Sequence, residues 1–432
     1  MHGRCNSSST LHGLILLGAV AGFVPGSPEG ALKDWITSQG GFVAEHVQAE
    51  ARDGLRGLFV TRDVAKGELL VSVPKSCLIC VEDDPQWGLS PRELLTARLV
   101  GAVSRGEGTE YVSTLPKEQP LLCDFTDQEL DMLQSSHIVD KARGMRPFLH
   151  ESNKKILPFV TADLETVDWA ERMVRSRAML FERGWIYDQS NSAIPLGPIM
   201  AMVPLVDLAN HRTRPIEEME ASEYIEPVAL TRDETAVNLV APVDLAAGTE
   251  ITFPYRNDGN SKLLQDYGFA ELIDQDVQLS FESLCLDSLE IGSPLLLGSE
   301  AEDKDAIATL CQQLHTRTGG SNSDVDERVV CETLRDCCRK QLQSMASSEQ
   351  EDREALADLD AGRCNAPTTC TDIGRWRSIL AFRIGQKAHL AKLDGVLSDL
   401  LTREGGDGDS VAVLTALRAM KGDHGTRSGL KI

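Results

Sequence analysis

The hydrophobic pattern predicts a helix and then two strands at the start of the folded chain. Apolar residues recur at helical spacing within residues 31–41, where two consecutive glycines end the pattern. Apolar runs at 54–60 and 68–74 flank a glycine turn, which predicts two strands joined as a hairpin. Gly54 and Gly57 would let a backbone come close to a ligand, although the same glycines suit plain hairpin turns equally well.

The middle of the chain first becomes helical and then returns to strands. Residues from about 83 to 165 are polar with helical periodicity, which predicts a helical insertion. The spacing of apolar residues within 169–181 predicts a helix that continues to the end of that segment. Apolar runs at 228–243 and 250–255 predict further strands, with a turn at Gly248 between them.

The last third of the chain has the pattern of amphipathic helices. Residues 329–345 and 376–401 each place apolar side chains on one face. Two acidic stretches, 292–305 and 344–360, are predicted to be mobile linkers. The pattern as a whole therefore predicts an α+β protein with a helical carboxyl-terminal region.

Composition limits the classes of function. The chain has 432 residues, 42% of them hydrophobic, which suffices for more than one packed core. With 43 basic and 66 acidic side chains, the net charge of -23 disfavours nucleic acid and favours a cationic partner. We expect a monomer with no direct nucleic-acid partner and no membrane span.

The eleven cysteines form neither a compact disulfide framework nor a paired metal-ligand pattern, which indicates a reducing compartment. Cys77 and Cys80 form a C-x-x-C motif in a strand-like run, where residues three apart point to opposite faces and chelate a metal poorly. Cys331, Cys337 and Cys338 lie at helical spacing among apolar residues and are predicted to be core residues. No metal site is predicted.

Residues 1–30 have the composition of a leader or of a disordered tail. The apolar run at 14–20 is too short to span a bilayer. The following Ala-Gly-Phe-Val-Pro resembles the junction of leaders that direct proteins into complex algal plastids. We therefore favour a plastid location over the cytoplasm.

Two candidate ligand-binding features follow from the residues alone. The apolar run from Val203 ends in Asn210-His211, which places an amide and an imidazole where the chain leaves the core. A lone histidine in such a position is more often structural than ligand-binding. Arg177 falls on the apolar face of its predicted helix and must be paired there, either with a carboxylate of a ligand or with an Asp or Glu of the chain.

The order of these segments resembles a SET domain. The similarity is carried by the hairpin segment from Arg56 to Asp63, by Asn210-His211, by the strand that ends at Tyr255, and by Tyr267 in Asp-Tyr-Gly-Phe. The long helical insertion, the helical carboxyl-terminal region and the lack of a cysteine cluster after Tyr267 are similar to the Rubisco large-subunit methyltransferase branch. Ser-Arg-Ala around Arg177 also matches a segment of that branch.

The resemblance implies a division of the chain and a contact within it. A β-rich SET core would span residues 31–273, with a helical insertion at about 83–165. An α-helical substrate-binding domain would span 274–432, after a leader or tail at 1–30. The segments that contain Asn210 and Tyr255 would lie side by side as a threaded pseudoknot, an exception to the usual unknotted connections.

The resemblance also implies methyl transfer from S-adenosylmethionine without a metal. Tyr255 would be the catalytic residue beside the sulfur and the methyl group. The remaining site residues are implied by the same matches: Arg56, Leu58, Arg177, Asn210, His211 and Tyr267 for the cofactor, and Met179, Asp207 and Tyr267 for the substrate.

The predicted reaction is methylation of a lysine on a non-histone protein. A histidine-directed subgroup of the branch carries asparagine where this chain has Met179, and a thioether lines an apolar lysine channel better than it holds an imidazole. The alternatives are a protein-histidine methyltransferase and a non-catalytic SET-like binding module. The second is motivated by Pro254 and Arg256, which depart from the family pattern next to Tyr255.

Overall fold

The computed structural model describes residues 27–402, apart from 53–54, 83–87, 184, 188–192, 213–224, 256–258, 273–283, 287–294, 298–326 and 371. Most of the predicted leader, Gly54, Arg256 and most of the predicted linker at 292–305 lie outside the described residues. The described helices are α1 (Pro28–Ser38), α2 (Pro91–Arg105), α3 (Thr109–Val112), α4 (Asp127–Met132), α5 (Ser136–Ile156), α6 (Leu164–Arg177), α7 (Asn260–Tyr267), α8 (Glu327–Ser344), α9 (Glu349–Asp360) and α10 (Ile373–Thr402). The described strands are β1 (Phe42–Val43), β2 (Val47–Arg52), β3 (Leu55–Val60), β4 (Leu69–Pro74), β5 (Ile79–Glu82), β6 (Met179–Phe181), β7 (Trp185–Tyr187), β8 (Ala193–Pro195), β9 (Ile199–Met202), β10 (Asn210–His211), β11 (Val228–Leu230), β12 (Ala236–Val240), β13 (Glu250–Phe253), β14 (Leu284–Leu286) and β15 (Leu295–Leu297).

Two four-stranded sheets form the centre of the β-rich part. One has the strand order β1, β4, β12, β11, and the other has β10, β13, β3, β2. A three-stranded sheet in the order β5, β9, β6 joins them through a shared core of aliphatic side chains. Strands that are far apart in the sequence therefore pack around one hydrophobic core.

The two amino-terminal strands are present, but their predicted pairing as one hairpin is wrong. β3 pairs with β2, with Leu58 opposite Ala49, whereas β4 pairs with β1 and β12 in the other sheet. Both strands bury apolar side chains. The local alternation of apolar and polar residues does not determine which neighbouring strand each of them pairs with.

The predicted strand that leads to Tyr255 is central to the second sheet. β13 pairs antiparallel with β3 and parallel with the short β10, with Asn210 opposite Thr252 and His211 opposite Phe253. The Asn-His segment and the segment that leads to Tyr255 are thus adjacent, as predicted.

The chain between β5 and β6 is helical in the described residues, in agreement with the insertion pattern. α2 begins with a capping box in which Ser90 and Glu93 bond each other's backbone N–H groups, and Pro91 occupies the first turn. Gly106 ends α2 in the left-handed conformation. α2 and α6 pack together, so the insertion shares the main core.

The helix predicted to continue to residue 181 ends earlier. α6 ends at Arg177, Ala178 is extended, and β6 pairs with β9 so that Met179 lies opposite Ala201. Helical spacing of apolar residues continues past Arg177, but the free edge of β9 offers backbone partners that outweigh the weak local helix preference. Leu180 is consequently not on a buried helical face.

The carboxyl-terminal region contains the two predicted long helices, α8 and α10. Its predicted linker at 344–360 is wrong, because α9 occupies most of it. Ser348 and Glu351 form a capping box, and Leu356 and Leu359 are buried against α10. Most of the acidic side chains that indicated mobility lie on the more exposed face of α9, whereas Asp352 is buried and pairs with Arg383 and Lys387 of α10.

Side chains of α10 also pack against the insertion and α7. Ile379 and Phe382 belong to one core cluster with Phe125, Ile138 and Leu264. Cys331, Cys337 and Cys338 are buried, as predicted. Within the described ranges, no helix is long and apolar enough to cross a membrane.

Candidate functional site

The approach to the Asn-His segment is a strained, buried turn. The backbone N–H of Val206 donates to the carbonyl of Pro204 at 2.9 Å, and Leu205 between them has φ 69° and ψ −44°. This is the geometry of a γ-turn with positive φ, which non-glycine residues adopt at a cost of about 1–3 kcal/mol. Full burial of the Leu205 side chain holds the turn in place. Asp207 follows at once and is thereby directed inward.

Asn210 lies at the crossing of β3, β10 and β13. Its Nδ2 donates to the carbonyl of Arg56 at 3.0 Å and to Oε1 of Glu250 at 2.7 Å. A Cβ at Gly57 would lie 2.9 Å from this nitrogen and 2.3 Å from Glu250 Oε1. The absence of a Cβ at Gly57 therefore admits the side chains of Asn210 and Glu250, and the approach of a ligand to this backbone stays a prediction.

His211 is buried between a backbone donor and a carboxylate. Its Nδ1 accepts from the N–H of Tyr255 at 2.9 Å, and its Nε2 lies 3.2 Å from Oε1 of Glu271. Burial lowers the pKa of His211 to about 4, so the imidazole is neutral at physiological pH.

The side chain of Tyr255 lies in the centre of an aromatic cluster. Its hydroxyl donates to the carbonyl of Ala209 at 2.9 Å. The ring centroid of Tyr267 lies 5.0 Å away, and that of His211 lies 5.2 Å away. Burial raises the pKa of the Tyr255 phenol well above its usual range, so the hydroxyl stays protonated.

Tyr267 is placed by the end of α7. Gly268 terminates the helix with φ +79°, and a Cβ there would lie only 2.1 Å from the carbonyl oxygen of Pro120. Gln119 donates its Nε2 to the carbonyl of Tyr267 at 3.2 Å. The helical insertion thus packs directly behind the second tyrosine.

Arg177 is paired with Asp207, which is one of the two alternatives left open by the sequence. Its Nη1 donates to the Asp207 carbonyl at 3.0 Å and lies 3.4 Å from Oδ2 of the carboxylate. Tyr111, from α3 of the insertion, donates its hydroxyl to the same Oδ2 at 2.7 Å. Burial raises the pKa of Asp207, although Arg177 and Tyr111 both favour its charged form.

The other three predicted residues lie around this centre in different ways. The Arg56 guanidinium bonds Glu29 at 2.9 Å and the Thr114 carbonyl at 2.6 Å, its charge favours the ionised form of Asp207, and its backbone carbonyl accepts from Asn210. The Leu58 side chain is fully buried in the core. Met179 is half-buried at the start of β6, directly after the helix that carries Arg177.

Comparison with known families agrees with this geometry. A SET domain family model matches residues 55–256, and a Rubisco LSMT substrate-binding model matches residues 295–390. The chain thus contains a SET domain followed by a region similar to the Rubisco LSMT substrate-binding domain, which is the combination expected for the Rubisco large-subunit methyltransferase branch. The predicted family and the α+β fold class are confirmed.

Relatives of this SET protein include two plant enzymes. It is 23% identical over 398 residues to the ribulose-1,5 bisphosphate carboxylase/oxygenase large subunit N-methyltransferase, chloroplastic, of Nicotiana tabacum, covering 79% of this chain and 76% of the relative. It is 23% identical over 416 residues to the fructose-bisphosphate aldolase-lysine N-methyltransferase, chloroplastic, of Arabidopsis thaliana, covering 84% and 82%. The fold is similar to a solved structure of Rubisco LSMT bound to AdoMet, with TM-score 0.58, 19% identity, and coverage of 87% of this chain and 92% of that chain.

Three residues of this SET site were missed by the sequence reasoning. Glu250 begins the strand segment that ends at Tyr255, but the pattern did not show that its carboxylate would meet Asn210. Tyr111 and Glu271 come from the insertion and from the segment after α7, and their contacts depend on tertiary packing. No sequence signal marks Tyr111, whereas Glu271 lies four residues after Tyr267.

No group of three or more histidine, cysteine or acidic side chains suited to a metal is found in the part of the chain that the structure describes. Cys77 precedes β5 in a short turn and Cys80 lies within β5, where its carbonyl accepts from Arg98. Burial raises the pKa of both thiols, which disfavours the thiolate form that binds metals.

Proposed function

We propose that this chain is an S-adenosylmethionine-dependent protein-lysine N-methyltransferase that acts on a non-histone protein. The relatives named above are protein N-methyltransferases with this type of substrate. The observation that carries the proposal is the hydrogen bond from the Tyr255 hydroxyl to the Ala209 carbonyl. This bond forms where the parallel strands β10 and β13 bring the Asn210-His211 segment next to the segment that leads to Tyr255. A buried phenol whose proton is held in place is suited to aligning the reacting groups and to stabilising the charge distribution of the transition state.

The residues around Arg177 fit the amino-acid end of the cofactor. Within the described residues, Arg177 Nε and Asp207 Oδ1 are buried atoms without a hydrogen-bond partner. A guanidinium of this kind can receive a carboxylate, and a carboxylate oxygen can receive an ammonium group. S-adenosylmethionine would supply an electrophilic methyl group on a positively charged sulfur.

We assign the other cofactor contacts to the crossing of the strands. Asn210 and His211 would hold the cofactor, with the backbone of His211 at the adenine and Asn210 at the amino-acid end. Arg56 and Leu58 would contribute main-chain contacts, because the guanidinium of Arg56 and the side chain of Leu58 are engaged elsewhere. Tyr267 would pack beside both cofactor and target side chain.

Tyr255 is not suited to act as a strong base. The raised pKa of Tyr255 keeps its phenol protonated, and its proton is held by the Ala209 carbonyl. The target lysine would lose its proton because burial and a neighbouring positive charge both lower an amine pKa. Met179, Asp207 and Tyr267 would line the substrate side.

The direct test is methyl transfer from methyl-tritiated S-adenosylmethionine to proteins of a lysate, followed by mass spectrometry of the labelled product. We expect methyllysine, and we expect Tyr255→Phe to lower kcat about 100-fold because the alignment of the reacting groups is lost. Calorimetry should show that Tyr255→Phe still binds the cofactor. Full activity in this variant would remove Tyr255 from the catalytic role.

The same experiment separates the alternatives. Methylhistidine as the main wild-type product would overturn the lysine assignment, and Met179→Asn tests whether this position selects the residue methylated. Failure of the wild type to bind S-adenosylmethionine would favour a non-catalytic binding module.

We further propose the domain division that the sequence implies, with a SET core at 31–273 and a substrate-binding region at 274–432, and a monomeric protein that does not bind nucleic acid. The relatives described as chloroplastic support a plastid location for this chain. A fluorescent protein fused to residues 1–40 should enter plastids, and a fusion that stays in the cytosol would contradict this location.

A further inference from the structure

The imidazole of His211 connects the Tyr255 backbone to a carboxylate that has no assigned role. The Tyr255 N–H donates to His211 Nδ1 at 2.9 Å, and His211 Nε2 lies 3.2 Å from Glu271 Oε1. The His211 side chain is only 1% exposed. Nδ1 therefore faces a hydrogen-bond donor, and Nε2 faces a hydrogen-bond acceptor.

These partners determine where the imidazole proton lies. A backbone N–H can only donate, which favours a lone pair on Nδ1, and a carboxylate can only accept, which favours a proton on Nε2. A neutral imidazole then carries its proton on Nε2, where it can donate to the Glu271 carboxylate. The opposite tautomer would place two N–H groups face to face at Tyr255 and would set a lone pair against a carboxylate.

The backbone of Glu271 is fixed independently of its carboxylate. Asn260, fully buried at the start of α7, accepts from the Glu271 N–H at 2.9 Å and donates to its carbonyl at 2.8 Å. This clamp closes the segment from Asn260 to Glu271, which contains Tyr267. The carboxylate thus approaches His211 from a backbone that is anchored on the same helix as the second tyrosine.

We infer that Glu271 is a positioning residue that holds His211 in the Nε2-protonated tautomer and thereby fixes the main chain of Tyr255. Its effect on catalysis rests on the proposed methyltransferase function, whereas its effect on the tautomer does not. Pro254 increases the need for this contact, because the residue before Tyr255 has no backbone N–H with which to anchor the turn.

The tautomer is measured directly by nitrogen NMR of protein labelled with 15N-histidine, which distinguishes protonated from unprotonated ring nitrogens. The chain has 9 histidines, and His211→Asn identifies the signal of interest. We expect Nε2-protonated His211 in the wild type and in Glu271→Gln, because the glutamine carbonyl still accepts from Nε2. Glu271→Leu should show a mixture of tautomers, and Glu182→Leu, at an exposed position after β6, should match the wild type.

A wild-type His211 protonated at Nδ1 would overturn the inference, and this measurement needs only the assignment variant His211→Asn to fold. An unchanged tautomer in a folded Glu271→Leu would overturn it as well. In methyl transfer, Glu271→Leu should lower kcat up to about 100-fold while KM for the cofactor changes little, with recovery in Glu271→Gln. If the wild type is inactive but the tautomers follow this order, the proposed function fails and the positioning role of Glu271 stands.

Discussion

Gly57 provides the space in which the side chains of Asn210 and Glu250 meet. A Cβ at this position would overlap the ends of both side chains, which are flexible enough to swing aside. We therefore expect Gly57→Ala to lower stability by only about 1 kcal/mol, the worth of a lost hydrogen bond, but to weaken binding of S-adenosylmethionine measurably. Urea unfolding and calorimetry give the two values.

The matched control for Gly57→Ala is Gly144→Ala within α5, where a Cβ would meet nothing within 4 Å. An alanine inside a helix should stabilise the protein by about 0.5–1 kcal/mol and leave cofactor binding unchanged. If Gly57→Ala binds the cofactor as tightly as Gly144→Ala does, the packing of Asn210 against Glu250 has no part in the binding site.

His211 makes stability depend on pH in a defined window. Its pKa is lowered by burial to about 4 in the folded protein, against 6.5 in an exposed chain. Between these values the unfolded state binds the proton more readily, so stability is full above about pH 6.5 and falls as the pH drops toward 4. The loss reaches up to about 3 kcal/mol for this group.

His211→Asn removes the titration and keeps an acceptor near the Tyr255 N–H. The wild type should lose more stability than this variant between pH 7 and pH 5, as measured by urea midpoints at constant slope. Parallel pH curves for the two proteins would mean that His211 is not buried in its neutral form.

The sequence predicted which candidate residues lie close together better than it predicted their hydrogen-bond partners. Asn210, His211, Tyr255 and Tyr267 come together as expected because their motif fixes both spacing and strand. The pairing of Arg177 with Asp207 stayed open because a guanidinium on an apolar face requires some anion without specifying which.

At the scale of elements, α7 carries Tyr267 and is locked by the glycine that ends it. The backbone of Gly268 is left-handed, and a Cβ added there would lie 2.1 Å from the backbone carbonyl oxygen of Pro120, which cannot swing aside. We expect Gly268→Ala to cost at least about 2 kcal/mol, from conformational strain and from overpacking together.

Gly106→Ala is the control for backbone strain alone. Gly106 also has positive φ, at +66°, but a Cβ added there would meet nothing within 4 Å. Its substitution should cost about 1 kcal/mol. Equal destabilisation of the two variants in urea would show that the contact between α7 and Pro120 does not limit the position of Tyr267.

Element boundaries show why local pattern was insufficient. The end of α6 is set by β9, which recruits Met179–Phe181 into a sheet, and β3 and β4 find partners in different sheets. α9 is a different case, because its Ser348-x-x-Glu351 capping box is present in the sequence and outweighs the acidic composition that suggested a linker. Tertiary pairing explains the first two differences, and an overlooked local signal explains the third.

At the scale of the molecule, α10 connects the helical carboxyl-terminal region to the rest. Phe382 packs in one cluster with Phe125 of the insertion and Leu264 of α7. Arg375, at the start of α10, lies across the same boundary and donates Nη1 to Glu129 at 2.9 Å and to the Asp124 carbonyl at 3.2 Å. The helix that carries Tyr267 therefore contacts the region that matches a substrate-binding family.

Arg375 and Arg377, two residues apart in α10, allow a matched test of the contact between the carboxyl-terminal region and the insertion. The Glu129 carboxylate that accepts from Arg375 is 0% exposed, so Arg375→Met removes an ion pair from a buried charge and should cost about 3 kcal/mol. Arg377 pairs with Asp360 at the surface, where both side chains are largely exposed, and Arg377→Met should cost about 0.5 kcal/mol or less.

Urea unfolding measures both changes, and limited proteolysis should cleave the Arg375→Met protein faster because α10 detaches more often from the insertion. If the two variants unfold at the same urea concentration, the ion pair between Arg375 and Glu129 does not hold the carboxyl-terminal region against the catalytic one.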